Sequence, residues 1–328
     1  MRVAVLFLLM TCVGCREAKP AVRSFCGTAM TIPYHIQVGP GPRSDDEVQS
    51  AIAGTFEEID ARFNKWNPDS ELSKLNHWDK DEPFPCSPEL LDMLRTCEKI
   101  VSSTRGTFDP TVEPLEQVWK KALEAGSVPT EEQLAAIRPA LGWKRIRLLN
   151  NGILKEHPSV ALDLGGIAKG HAVDLLVERL AAIGCQSIYV EWGGEIRTQG
   201  SHPDGRPWKI GIRHPRRSDK VLEVVECTNG ALATSGDYLQ YWTVIVNGEP
   251  MQFYHVFDIQ TQRPLESTQN SLVSVTIQHE SCCLADGLTK ALLCAKDKEE
   301  ARALFEERVH PLFPTTKVWL FSHEDVAS

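Results

Sequence analysis

The 328-residue chain has no long run of lysine and arginine, and its formal net charge is −9. Nucleic acid is therefore excluded as its main partner, because nothing compensates the phosphate charge. Long hydrophobic runs are absent too. The one apolar stretch of note, Val3 to Met10, is too short to span a bilayer. No proline-, glycine- or serine-rich linker and no low-complexity tract divides the sequence, so one continuous unit is expected. Beyond Cys15 no cysteine pair or Cys/His cluster has zinc spacing, which excludes a structural zinc site. Cys282 and Cys283 are adjacent, and Cys97 and Cys294 stand in apolar helical surroundings. Buried free thiols are expected for most cysteines, although export would permit disulfides. With 42% hydrophobic and 24% charged residues, the rest reads as an ordinary globular protein.

The N-terminus carries an address. Arg2, the apolar run and the small residues after it form a secretory-signal pattern. The run ends in "CVGC", which resembles a bacterial lipoprotein cleavage box, with Cys12 where leucine is usual. Residues 1–15 are thus expected to be a lipoprotein signal, with Cys15 lipidated and holding the protein to the membrane. Residues 16–24 read as a tether and 25–328 as a single domain. The expected place is the bacterial cell envelope, on the periplasmic face.

Local signals outline an α+β fold of antiparallel or mixed sheets with packed helices. "TIPYHIQV" alternates as a strand. Ser44 and Glu47 form a capping box ahead of Val48, Ile52, Phe56, Ile59 and Phe63, spaced as one helix face. "NKWNPDSELSKLN" reads as a turn-rich loop. Ser87-Pro88 opens a second helix that Gly106 stops, and Thr130 in "TEEQ" caps a third. "SVALDLG" reads as a buried strand feeding a helix from about Ile167 to Ile183. Strands are expected in "SIYVEWGGEIRTQG", "WKIGIRH", "WTVIVNG", "QFYHVFDIQ", "SLVSVTIQH" and "KVWLFS". "LADGLTKALLCA" and "KEEARALFEERV" read as helices.

Within "ALDLGGIAKGHAVD", Gly165 and Gly166 lead into a helix start with Lys169 in its first turn. Unpaired backbone N–H groups, the helix dipole and the missing side chains would make an anion site. The bland alternative is a tight strand–helix turn in which glycine relieves crowding. The spacing is neither that of a P-loop nor that of a dinucleotide fingerprint. Asp163, just ahead, would repel phosphate unless it binds a base, a ring or a metal's water.

That stretch closely resembles the signature of the ApbE family, the FAD:protein FMN transferases. In the family's order follow or precede "GTAM", "WNPDSELSKLN", "GTFDPTVEPL", "EWGGEIRTQG", "PWKIGIRHP", "ALATSGDY", "YHVFDIQTQRPL" and "LADGLTKALL". The resemblance spans roughly residues 25–296 and implies an ApbE-like, T-fold-like domain. It implies that FAD is cleaved at its pyrophosphate, FMN passes to a Thr or Ser hydroxyl of an acceptor flavoprotein outside the cytoplasm, and AMP leaves. It places Met30, Trp66, Thr107, Phe108, Asp109, Asp163, Lys169 and Phe257 around FAD. It places Mg²⁺ on Asp286 and the Gly166 carbonyl; Thr289, nearby on the same helix, is read as a further neutral oxygen ligand. His255 becomes general base or phosphate stabiliser, and Asp258, later in the same strand, is expected to share its face and orient it. Lone residues of these kinds are more often structural, so each is weighed against that.

Two departures stand out. "DIQTQRP" lacks the usual Pro and Gly. More consequentially, Lys290 stands four residues after Asp286, where many relatives have threonine, and Thr289 comes one step earlier. One step rotates a helix by about 100°, so the two are not equivalent. The expectation is that Thr289 or water completes the Mg²⁺ shell. The rival is that the Lys290 ammonium replaces part of the metal's charge. An FAD pyrophosphatase and a non-catalytic FAD-binding lipoprotein are the alternative functions.

Overall fold

The computed structural model describes residues 22–217, 219–237, 241–246 and 248–327. The expected signal, Cys15 and most of the expected tether lie outside these residues. Strand β1 (Arg23–Ala29) already begins inside the expected tether. Among the described residues no helix is long and apolar enough to cross a membrane.

Strands β1, β2 (Ile32–Val38), β6 (Ile188–Trp192), β7 (Glu195–Gln199), β10 (Gly230–Gly236), β14 (Leu272–His279) and β15 (Lys317–Ser322) form one antiparallel sheet in the order β1-β2-β6-β7-β10-β14-β15. Period-two alternation divides its faces. Ile188, Val190, Ala231, Ala233, Val275, Ile277 and Leu320 enter the main core. Tyr189, Ile196, Leu232, Trp319 and Phe321 point the other way, onto the ribbon β8 (Trp208–Arg213) and β9 (Val221–Cys227).

Helices α1 (Asp45–Phe63), α3 (Pro88–Ser103), α6 (Ala168–Ala182) and α7 (Cys282–Leu293) fill the main core. The Ser44–Glu47 capping box and the Ser87 and Thr130 N-caps form as the sequence requires, Thr130 opening α5 (Glu131–Ile137). A small sheet of β3 (Phe84–Pro85), β5 (Gly152–Lys155) and β4 (Ile146–Leu149) lies beside this core. A second cluster is separate. Leu115, Trp119 and Leu123 of α4 (Glu113–Glu124) pack on Val244 and Phe253 of the sheet β11 (Tyr241–Val246), β12 (Glu249–Asp258) and β13 (Arg263–Glu266). Helix α8 (Lys298–Leu304) continues as one wider π turn, Phe305–Val309, before β15.

Several expectations fail for identifiable reasons. "SVALDLG" is no strand. Its backbone is held by the Asn76 side chain, which bonds Leu162 N–H at 2.8 Å and Leu162 C=O at 2.9 Å, and by Asp163 N–H to Pro110 C=O at 2.8 Å. Those partners replace a ladder. The loop around Trp66 contains α2 (Glu71–Asn76), capped by Ser70. Eight free cysteines are described; Cys97, Cys185, Cys227, Cys282 and Cys283 are buried, as expected for most.

Helices α6 and α7 meet backbone to backbone. A Cβ on Gly170 would stand 2.3 Å from the Cys282 carbonyl oxygen and 2.8 Å from Asp286 Cβ. Asp174 fastens the same junction by accepting the N–H groups of Cys282 and Cys283 at 2.9 and 3.0 Å at the start of α7. Gly170→Ala therefore forces the helices apart. Overpacking costs about 1–3 kcal/mol, against the about 1 kcal/mol that alanine gains over glycine in a helix. Calorimetry should find a lower melting temperature; an unchanged or raised one would show that the junction yields freely.

Candidate active site

A cavity of about 430 Å³ opens where the two hydrophobic clusters face each other. One wall is the Gly165–Gly166 turn with Lys169 from α6 and Lys290 from α7. The other carries Trp242 of β11 and His255 and Phe257 of β12. Thr107, Phe108 and Asp109 close one end. The volume lies within the range of small-molecule sites.

The turn explains its own glycines and its acid. Ile167 starts α6 with no side-chain cap. Asp163 does not confront the cavity as a naked charge. Its Oδ1 accepts the Gly165 N–H at 2.7 Å, and Lys65 Nζ stands 3.0 Å from its Oδ2. Burial alone would raise this carboxyl; Lys65, with the Glu116 and Gly165 hydrogen bonds, holds it below its ordinary value. Lys65 Nζ also lies 2.5 Å from Glu113 and 2.6 Å from Glu116. These three carboxylates converge closely enough for a metal, but the cation among them is the ammonium.

Of the residues expected around FAD, Thr107, Phe108, Asp109, Asp163, Lys169 and Phe257 line the cavity, as do Gly166 and His255. Both oxygens of Asp109 are used internally, by Thr111 and by the Trp143 N–H at 2.7 Å. Asp109 thus shapes the end wall. Lys169 pairs with the fully buried Glu195 at 2.5 Å.

Met30 and Trp66 are not on the wall. Met30 sits in the β1–β2 turn at φ 47° and packs on the main core, and Ile32 reaches the cavity instead. Trp66 is 75% exposed. It stands at the rim, with Lys65 and Lys120 ammoniums 5.2 and 5.5 Å from its ring, and Lys120 lines the cavity.

Asp258 does not share a face with His255. The offset is three residues, and His255 lines the central cavity whereas Asp258 does not. Asp258 accepts the Gln260 N–H at 2.8 Å and lines a separate cleft with Tyr254 and Arg263. It does not orient the imidazole.

Two of the three expected magnesium ligands, Asp286 and Thr289, do not fit the ion, while Gly166 lines the cavity. Asp286 is fully buried; its Oδ2 accepts the Gly170 N–H at 3.0 Å, and its Oδ1 holds the Lys290 ammonium. Thr289 is fully buried as well. Its hydroxyl donates to the Asp286 carbonyl at 2.7 Å and accepts from Ser235 at 2.7 Å. The carboxylate is taken by a cation already, and the hydroxyl is turned into the core.

The chain belongs to the ApbE family, whose model matches residues 27–313. It is 34% identical over 305 residues to the FAD:protein FMN transferase of Chlamydia pneumoniae, covering 92% of this chain and 94% of that one. The solved flavin transferase ApbE from Vibrio cholerae superposes with a TM-score of 0.78 at 32% identity, over 92% of this chain and 93% of that one. The apo Pseudomonas stutzeri flavinyl transferase ApbE gives 0.80 at 27% identity, over 93% and 92%.

Sequence reasoning missed Lys65, Glu113, Glu116, Lys120 and Glu195. A signal existed for part of this: "EPLEQVWKK" places Glu113, Glu116 and Lys120 at helical spacing on α4. Burial and the neighbouring Asp163 charge push the Glu116 carboxyl up to about 7, against the pull of Lys65 and Lys120. A carboxyl raised in the folded state stabilises fully below its ordinary value, 4.5, and loses that contribution as pH rises towards about 7. Glu116→Gln should flatten the fall in melting temperature across that window. A slope identical to wild type would contradict the raised carboxyl.

Proposed function

We propose that the protein transfers FMN from FAD to a serine or threonine hydroxyl of an acceptor flavoprotein and releases AMP. The observation that carries this reading is the arrangement of one cavity: the side-chain-free Gly165–Gly166 turn with Lys169 and Lys290 on one wall, and His255 on the other. Family membership supports it.

The missing side chains of Gly165 and Gly166 let the FAD pyrophosphate come close to the turn, and the start of α6 adds partial positive charge; the Gly165 N–H itself is held by Asp163. Phe108, Phe257 and Trp242 offer apolar faces to the rings of FAD. The acceptor oxygen forms a new bond to the FMN phosphorus. The bridging P–O bond breaks, and AMP leaves with its electron pair. His255 takes the hydroxyl proton. Positioning and charge stabilisation supply most of the rate in such transfers. No step is assigned to magnesium, because Asp286 and Thr289 are engaged elsewhere.

Intact-mass measurement after incubation with FAD and a candidate acceptor tests the reading. FMN addition to the acceptor supports it. Free FMN plus AMP without addition would make the protein a pyrophosphatase, and unchanged FAD a binder. A Cβ at position 166 would make only ordinary contacts, 3.5 Å from Phe108 and from Lys290. Gly166→Val should therefore fold, yet bind FAD at least about tenfold more weakly, a loss of about 1.4 kcal/mol. Wild-type affinity in that variant would remove the turn from the binding site.

A further inference from the structure

Asp286 Oδ1 already holds a cation, the Lys290 ammonium. A divalent ion there would have to expel the Lys290 ammonium, and the structure gives that ammonium a built place. Lys290 stands on the same face of α7 as Asp286, four residues on. Its side chain is 16% exposed, lines the cavity, and lies against Gly166, with Cγ 3.5 Å from where a Cβ would be. The lysine thus lies beside the turn that would meet the pyrophosphate. The other oxygen of Asp286 accepts the Gly170 N–H, so the carboxylate cannot turn away without leaving that buried donor unpaired. Thr289 cannot complete a metal shell either, because its hydroxyl bridges Ser235 and the Asp286 carbonyl.

We propose that Lys290 occupies the position of a divalent cation, and that FAD binding and FMN transfer proceed without metal. This inference rests on the transferase reading for the identity of the ligand. An ammonium has three donors. One bonds Asp286, which leaves two for oxygens of the pyrophosphate. Lys169, on the same wall and paired with Glu195, adds a second cation. The bonds made and broken are those of the transfer already described. Lys290 stays protonated throughout and contributes hydrogen bonds and charge.

The test measures FAD binding by flavin fluorescence, and FMN transfer by intact mass, in excess EDTA and in MgCl₂. Wild type should bind and transfer alike in both. Lys290→Thr should bind FAD at least about tenfold more weakly in EDTA, as expected for a lost charge-assisted hydrogen bond. Magnesium should restore that variant, since the Asp286 oxygen is then open. Lys290→Arg, which keeps the charge, should remain indifferent to metal. Wild-type binding that requires magnesium would overturn the inference, and so would Lys290→Thr binding that equals wild type in EDTA. Failure to bind FAD under any condition would instead sink the transferase reading itself.

Discussion

The approach of α6 to α7 at Gly170 sets the geometry of everything around it. Two helix backbones come so close that no side chain fits between them. The Gly170 N–H is thereby free to reach Asp286, and Asp174 to receive the start of α7. The glycine turn ahead of α6 and the lysine near the end of α7 are carried to one cavity wall as a consequence. Neither could hold its place if the helices separated by an ångström or two.

A second regularity is electrostatic. Each lysine on the cavity wall is matched with a carboxylate: Lys120 with Glu116, Lys169 with Glu195 and Lys290 with Asp286. Lys65 does the same behind the wall, among three acids. Charges removed from water need such partners. The pairing also holds each ammonium in place before a ligand arrives, so that little reorganisation is required when an anionic group enters.

What the sequence disclosed follows from the range of each interaction. Helix starts at Ser44, Ser87 and Thr130 were legible because a cap and its N–H partner are neighbours in the chain. The strands of the main sheet were largely legible from alternation. Val160 to Leu164 read as a strand because it is apolar and extended, but its partners are a distant asparagine side chain and a proline carbonyl. The Lys65 cluster joins residues 48, 51 and 98 positions apart, and no local pattern betrays such pairings. Family likeness brought Thr107, Phe108, Lys169, His255 and Phe257 of the cavity wall to attention. Local periodicity misled at Asp258, which lines a different cleft from His255, and proximity in sequence misled at Thr289, whose hydroxyl is buried against Ser235 and the Asp286 carbonyl.

The central claim is that FAD lies in the cavity between α6–α7 and β12, with its pyrophosphate against the Gly165–Gly166 turn and Lys290. The most direct test is a crystal structure of the FAD complex grown with Mn²⁺ and recorded at the manganese absorption edge. The account predicts pyrophosphate oxygens within hydrogen-bond distance of Lys290 Nζ and no anomalous peak at Asp286. FAD seated elsewhere, or a manganese ion on Asp286 with Lys290 displaced, would contradict it.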